Sequence, residues 1–112
     1  AEFSYTLPMA VQASDRPLVA DPAQLAGLCQ RWGIRELALF GSALRPDFGP
    51  ASDVDLLVEF EPGVTLGFRY FQLEQELSAL FGGRRIDLVP RKYLHPRLRD
   101  RVLAEAQVQY AA

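Results

Sequence analysis

Along the chain the apolar positions change period several times, and each change marks an element. Asp21-Pro22 is a helix start, an N-cap acid followed by proline at the first helical position. Leu25, Leu28, Cys29 and Trp32 then recur at i, i+3, i+4 and i+7, and Gly33 closes the helix. The run Ile34 to Phe40 reads as a strand that ends at Gly41-Ser42, with a helical turn expected just after Ser42. A loop holding Pro46, Gly49 and Pro50 fills Ala43 to Ser52. Val54 to Phe60 is a second strand, stopped by Glu61-Pro62-Gly63. Leu66, Tyr70, Leu73, Leu77 and Leu80 mark a long amphipathic helix ending at Gly82-Gly83. Arg85 to Val89 makes a third strand broken by Pro90, Pro96 to Glu105 a last helix, and Val108 with Tyr110 a short edge strand. This alternation predicts one α/β (α+β mixed) domain over residues 21–110, with helices packed on a small mixed sheet.

Residues 1–20 stand outside that pattern. Ala1 to Pro8 lack any helix or strand period, and the single methionine is Met9. They are expected to be a tag remnant, with Met9 as the natural start and Val11 to Ala20 as a polar lead-in.

Composition adds bounds. A chain of 112 residues supports one small core, and 49% apolar with 23% charged residues is ordinary for a globular domain. A net charge of −2 argues against non-specific nucleic-acid binding, although Arg84, Arg85, Arg91, Lys92, Arg97, Arg99 and Arg101 crowd one stretch. The lone cysteine, Cys29, cannot form an internal disulfide, and no apolar run reaches the roughly 20 residues that span a bilayer. A cytoplasmic location is the expectation. Cys29 and Trp32 belong to the apolar stripe of the first helix, and His95, just before Pro96, reads as a cap or loop residue.

The candidate chemistry lies in Asp53, Asp55 and Asp87. In a strand, residues i and i+2 share a face, so the carboxylates of Asp53 and Asp55 should sit side by side. Like charges that close repel unless something positive lies between them, and the simplest occupant is Mg²⁺ with its preference for oxygen ligands and phosphates. Asp87, on an otherwise apolar strand, needs a partner. If its strand lies beside that of Asp53 and Asp55, three carboxylates converge. That set suits two metals about 3.5–4 Å apart, clamping the attacking and leaving oxygens of an in-line displacement. Asp53 and Asp55 would then hold the nucleotide-bound metal, and Asp87 would help hold the second and take the proton of the attacking hydroxyl. Gly41 lets the backbone approach a ligand closely. A helical turn starting after Ser42 would aim free N–H groups at a triphosphate, and Arg45 could offer a guanidinium fork to a phosphate.

In order along the chain, Gly41-Ser42, Asp53-x-Asp55 and Asp87 resemble the signature of the DNA polymerase β nucleotidyltransferase superfamily. More narrowly, Leu39-Phe40-Gly41-Ser42, Ser52 to Val58 and Arg85 to Val89 resemble the minimal nucleotidyltransferases, the MNT antitoxins. The family usually places a glycine after the loop arginine, where Arg45 here precedes Pro46. The resemblance implies a polymerase-β-like fold, ATP as substrate, two Mg²⁺ ions, and a HEPN-domain ribonuclease toxin as partner. It further implies neutralisation of that toxin by transfer of AMP to one of its tyrosine hydroxyls. A domain this small is expected to lack a second lobe to grip an acceptor, which fits a protein substrate. The basic C-terminal stretch and Tyr93 are candidate contacts for it. Two alternatives stand beside this reading: an antitoxin that inhibits by binding alone, and a nucleotidyltransferase acting on a small hydroxylated molecule such as an aminoglycoside.

Overall fold

Residues 20–44 and 52–112 are described by the computed structural model. The expected tag remnant, the lead-in up to residue 19 and Arg45 lie outside the described residues. The elements follow in the order α1 (Pro22–Trp32), β1 (Ile34–Phe40), β2 (Val54–Phe60), α2 (Arg69–Leu80), β3 (Ile86–Pro90), α3 (Pro96–Glu105) and β4 (Gln107–Ala111). Short 3-10 turns at Gly41–Leu44 and Arg91–Tyr93 follow β1 and β3.

Local signals set the ends of α1. The Asp21 carboxylate accepts from the Gln24 N–H at 3.0 Å, Pro22 occupies the first turn, and Gly33 closes the helix at φ +70°. A Cβ at residue 33 would also come within 2.8 Å of the Val64 side chain. The second helix starts later than the apolar spacing predicts. Leu66 packs on the core from a loop, and Gly67 at φ +57° interrupts the chain before Arg69 begins α2. Leu66 thus matches the helical period without belonging to the helix.

The sheet order is β3-β2-β1-β4. Strand β1 runs antiparallel to both β2 and β4, whereas β2 and β3 are parallel and joined through α2. One sheet face presents Leu37, Leu39, Val54, Leu56, Val58, Ile86 and Leu88 to Leu25, Leu28, Cys29 and Trp32 of α1 and to Leu73, Leu77 and Phe81 at α2. Cys29 is wholly enclosed, and burial pushes its thiol up to about 12. A second tie joins the two helices: the Trp32 indole N–H donates to the Glu76 carboxylate at 2.9 Å, and Arg31 approaches the same oxygen at 3.4 Å.

The opposite sheet face is covered unevenly. Leu103 and Ala106 near the end of α3 line a cavity of about 150 Å³ with Ala38, Leu57 and Val108. His95 caps α3, its Nδ1 accepting from the Arg97 N–H at 3.1 Å, which agrees with its reading as a cap. Arg91, part of the basic stretch, is held by Glu59 at 3.3 Å and Glu36 at 3.6 Å. No described helix is long and apolar enough to cross a membrane.

Candidate active site

Strand register brings the predicted residues together. Asp55 pairs with Phe40 across the antiparallel β1–β2 ladder and with Asp87 across the parallel β2–β3 ladder. Val54, Leu56, Ile86 and Leu88 alternate into the core, so Asp55 and Asp87 both emerge on the opposite face. Asp53 sits one residue ahead of β2, and its carboxylate meets the Arg85 guanidinium at 4.0 Å. The three acids therefore gather where β1 ends and where β2 and β3 begin.

The crowding acts on the electrostatics of Asp87. Partial burial, then the negative charges of Asp55 and Asp53, hold the Asp87 carboxyl above its ordinary range. A side-chain hydrogen bond with Asp55 acts the same way, and Arg85 opposes it. A carboxyl placed like this is a better proton acceptor than an isolated aspartate. Across the strand edge, burial and the nearby charges of Glu74 and Asp87 push the Tyr70 hydroxyl up to about 12, so it stays a neutral donor.

Gly41 closes the site from the β1 side. It has φ +64°, and a Cβ there would lie 2.6 Å from Asp55 Oδ2. Both the backbone conformation and the space demand glycine. Ser42 follows within the same 3-10 turn.

The donor set suits a hard cation in part. Carboxylate oxygens are what Mg²⁺ accepts, and a forced pair of like charges is what it relieves. Among the described residues, however, no three His, Cys, Asp or Glu side chains form a group that could hold a metal by themselves. The arrangement fits an ion whose remaining ligands are water and substrate phosphates. A cavity of about 530 Å³ lies elsewhere among the described residues, at the far ends of β2 and β3 beside Glu61, Pro90 and Arg99.

The apolar period along the chain places Tyr70 on the second helix but does not reveal the hydroxyl contacts that it and Ser78 make beside the site. Tyr70 donates its hydroxyl to the Leu88 carbonyl at 2.7 Å, and Ser78 donates to the Arg84 carbonyl at 2.6 Å. The placement of Arg85 against Asp53 had a partial signal, since Arg85 and Asp87 share a strand face by spacing.

Comparison with known proteins agrees with this fold. The profile of the family described as "Nucleotidyltransferase domain" matches residues 23–108. The protein adenylyltransferase MntA of Thermococcus cleftensis is 41% identical over 78 residues, spanning 70% of this chain and 77% of its own length. A solved structure assigned as a minimal nucleotidyltransferase shares 44% identity at a TM-score of 0.61, covering 75% of this chain and 83% of that one. A chain of the solved complex between a tri-AMPylated Shewanella oneidensis HEPN toxin and an MNT antitoxin shares the fold at a TM-score of 0.55 and 18% identity, covering 81% of this chain and 70% of that one. With its polymerase-β-like mixed sheet and its three acids gathered at the strand ends, the chain belongs to the nucleotidyltransferase domain family, among the minimal nucleotidyltransferases.

Proposed function

We propose that this protein transfers AMP from ATP to a tyrosine hydroxyl of a HEPN ribonuclease toxin and thereby acts as its antitoxin. The observation that carries the reading is the direct pairing of Asp55 with Asp87 beside the obligatory glycine at residue 41. The protein adenylyltransferase MntA relative supports the activity, and the AMPylated toxin bound to an MNT antitoxin supports the partner.

In this reading the tyrosine oxygen attacks the α-phosphorus of ATP. The bond to the β,γ-diphosphate breaks, pyrophosphate leaves, and the proton of the hydroxyl passes to the Asp87 carboxylate. Asp87 suits that role because its neighbours raise its proton affinity. Asp53, Asp55 and Asp87 would hold Mg²⁺, which would neutralise charge on the triphosphate and on the attacking phenolate oxygen. The Gly41-Ser42 turn would receive the triphosphate through backbone N–H groups, with Arg45 as an additional phosphate ligand.

Labelled ATP, Mg²⁺ and the product of the neighbouring gene test the proposal. Label on a tyrosine of that partner, lost in Asp55→Asn and Asp87→Asn, is expected. Toxin neutralisation that persists in both variants without any labelling would replace catalysis with inhibition by binding.

A further inference from the structure

Strand β3, which carries Asp87, is an edge strand with β2 on one side only. The Arg85 carbonyl accepts from the Val54 N–H at 2.8 Å, facing β2. Strand alternation therefore turns the Leu88 carbonyl outward, where an edge must find other partners. Helix α2 supplies one. Tyr70, near its start, donates to that outward Leu88 carbonyl, and Ser78, two turns on, donates to the carbonyl of Arg84 just before the strand.

The spacings match. Eight helical residues separate the two hydroxyl-bearing side chains by about 12 Å, and four extended residues separate the two carbonyls by about 13 Å. The helix runs antiparallel to the segment it holds, so the first hydroxyl meets the later carbonyl. Between them, Leu73 and Leu77 are fully buried and fasten the helix to the sheet. Asp87 lies inside this two-point span, one peptide from the Leu88 carbonyl.

We propose that Tyr70 and Ser78 are positioning residues, a hydroxyl brace by which α2 fixes the edge strand so that the Asp87 carboxylate stays in register with Asp55. The catalytic part of this inference rests on the adenylyl-transfer reading above. The brace itself is a property of the strand. Buried apolar contacts hold α2 against the sheet but permit sliding along the strand, whereas two directional bonds at matched spacing do not.

Tyr70→Phe and Ser78→Ala test it through two readouts on the full chain. The first is hydrogen–deuterium exchange of residues 86–90, expected to rise about ten-fold in each variant while α1 is unchanged. The second is transfer to the partner protein. There kcat should fall about ten-fold with the KM for ATP held within about two-fold, because the nucleotide cradle is untouched. Ser78→Thr, which keeps the hydroxyl, should restore both. Unchanged exchange at residues 86–90 overturns the brace, and faster exchange with unchanged kcat overturns its positioning role. If the wild-type chain does not label the partner, the adenylyl-transfer reading falls, and exchange at residues 86–90 decides the brace alone.

Discussion

Asp55 and Asp87 are direct partners across a parallel strand pair, with both side chains on the face opposite the core. Like charges held opposite one another in a sheet destabilise it. The fold thus carries a local electrostatic cost at the point where the chemistry is proposed. Asp87→Asn should separate the two effects. Transfer should fall by about 100-fold or more through loss of the proton acceptor, while the thermal midpoint of the metal-free protein at pH 7 should rise by about 1–3 °C. The pH dependence follows from the direction of the shift. The folded Asp87 carboxyl binds its proton more tightly than the unfolded one. Its contribution to stability is full below the ordinary aspartate value of about 3.9 and is lost as pH rises through the elevated folded value. The advantage of Asp87→Asn in differential scanning calorimetry should therefore vanish in acid. An advantage that persists at low pH would rule out charge repulsion as its source.

Gly41→Ala tests the other wall of the site. The left-handed backbone costs a non-glycine residue about 1–2 kcal/mol, and the new Cβ would displace the Asp55 carboxylate from which it lies 2.6 Å. Chemical denaturation should register a loss of about that size, and transfer should fall by about ten-fold or more. An active, undiminished Gly41→Ala enzyme would mean that the carboxylate need not stay where the turn now permits it.

Much of this arrangement was legible in the chain itself, for identifiable reasons. Asp21-Pro22 and Gly33 are local signals that need no tertiary context, and they bound α1 as expected. The strands through Leu39 and Leu56 announced themselves by short apolar runs stopped by Gly-Ser and Pro-Gly. The convergence of Asp55 with Asp87 was conditional on the two strands being neighbours, and α2 makes them so by carrying the chain back to a parallel β3. Leu66 misled because burial from a loop and burial from a helix leave the same apolar spacing. The hydroxyl contacts of Tyr70 and Ser78 were invisible for a different reason. Periodicity reports which side of a helix is buried, and it carries no information on which carbonyl a hydroxyl will meet.

Glu76 is expected to matter for stability and not for transfer. Its carboxylate accepts from the Trp32 indole on α1 and from Gln72 and Arg31. The indole bond contributes most to holding its proton affinity below the usual glutamate range. A depressed folded value contributes stability above the unfolded glutamate value of about 4.3, lost as pH falls through the folded one. Glu76→Ala should cost about 1 kcal/mol in urea unfolding at pH 7, with the nearly buried indole N–H left unpaired. The difference from wild type should shrink below pH 4. A variant with wild-type stability at neutral pH would show that α1 and α2 are held by their apolar contacts alone.

Metal binding should depend on the nucleotide. Among the described residues the carboxylates do not complete a three-ligand group of their own, and Mg²⁺ keeps several waters and favours phosphate oxygens as co-ligands. An ion should therefore bind the free protein weakly, with a dissociation constant of about a millimolar, and at least about ten-fold more tightly once a non-hydrolysable ATP analogue supplies its phosphates. Mn²⁺ titration followed by electron paramagnetic resonance, with and without the analogue, measures both. Asp55→Asn should abolish the nucleotide-dependent gain, since it removes the carboxylate shared by both strand pairings. Chelation of the metal should in turn lower adenylyl transfer by about 100-fold or more, restored by added Mg²⁺. Tight Mn²⁺ binding without nucleotide would contradict this order, because it would require a protein cage that Asp53, Asp55 and Asp87 do not form before the nucleotide arrives.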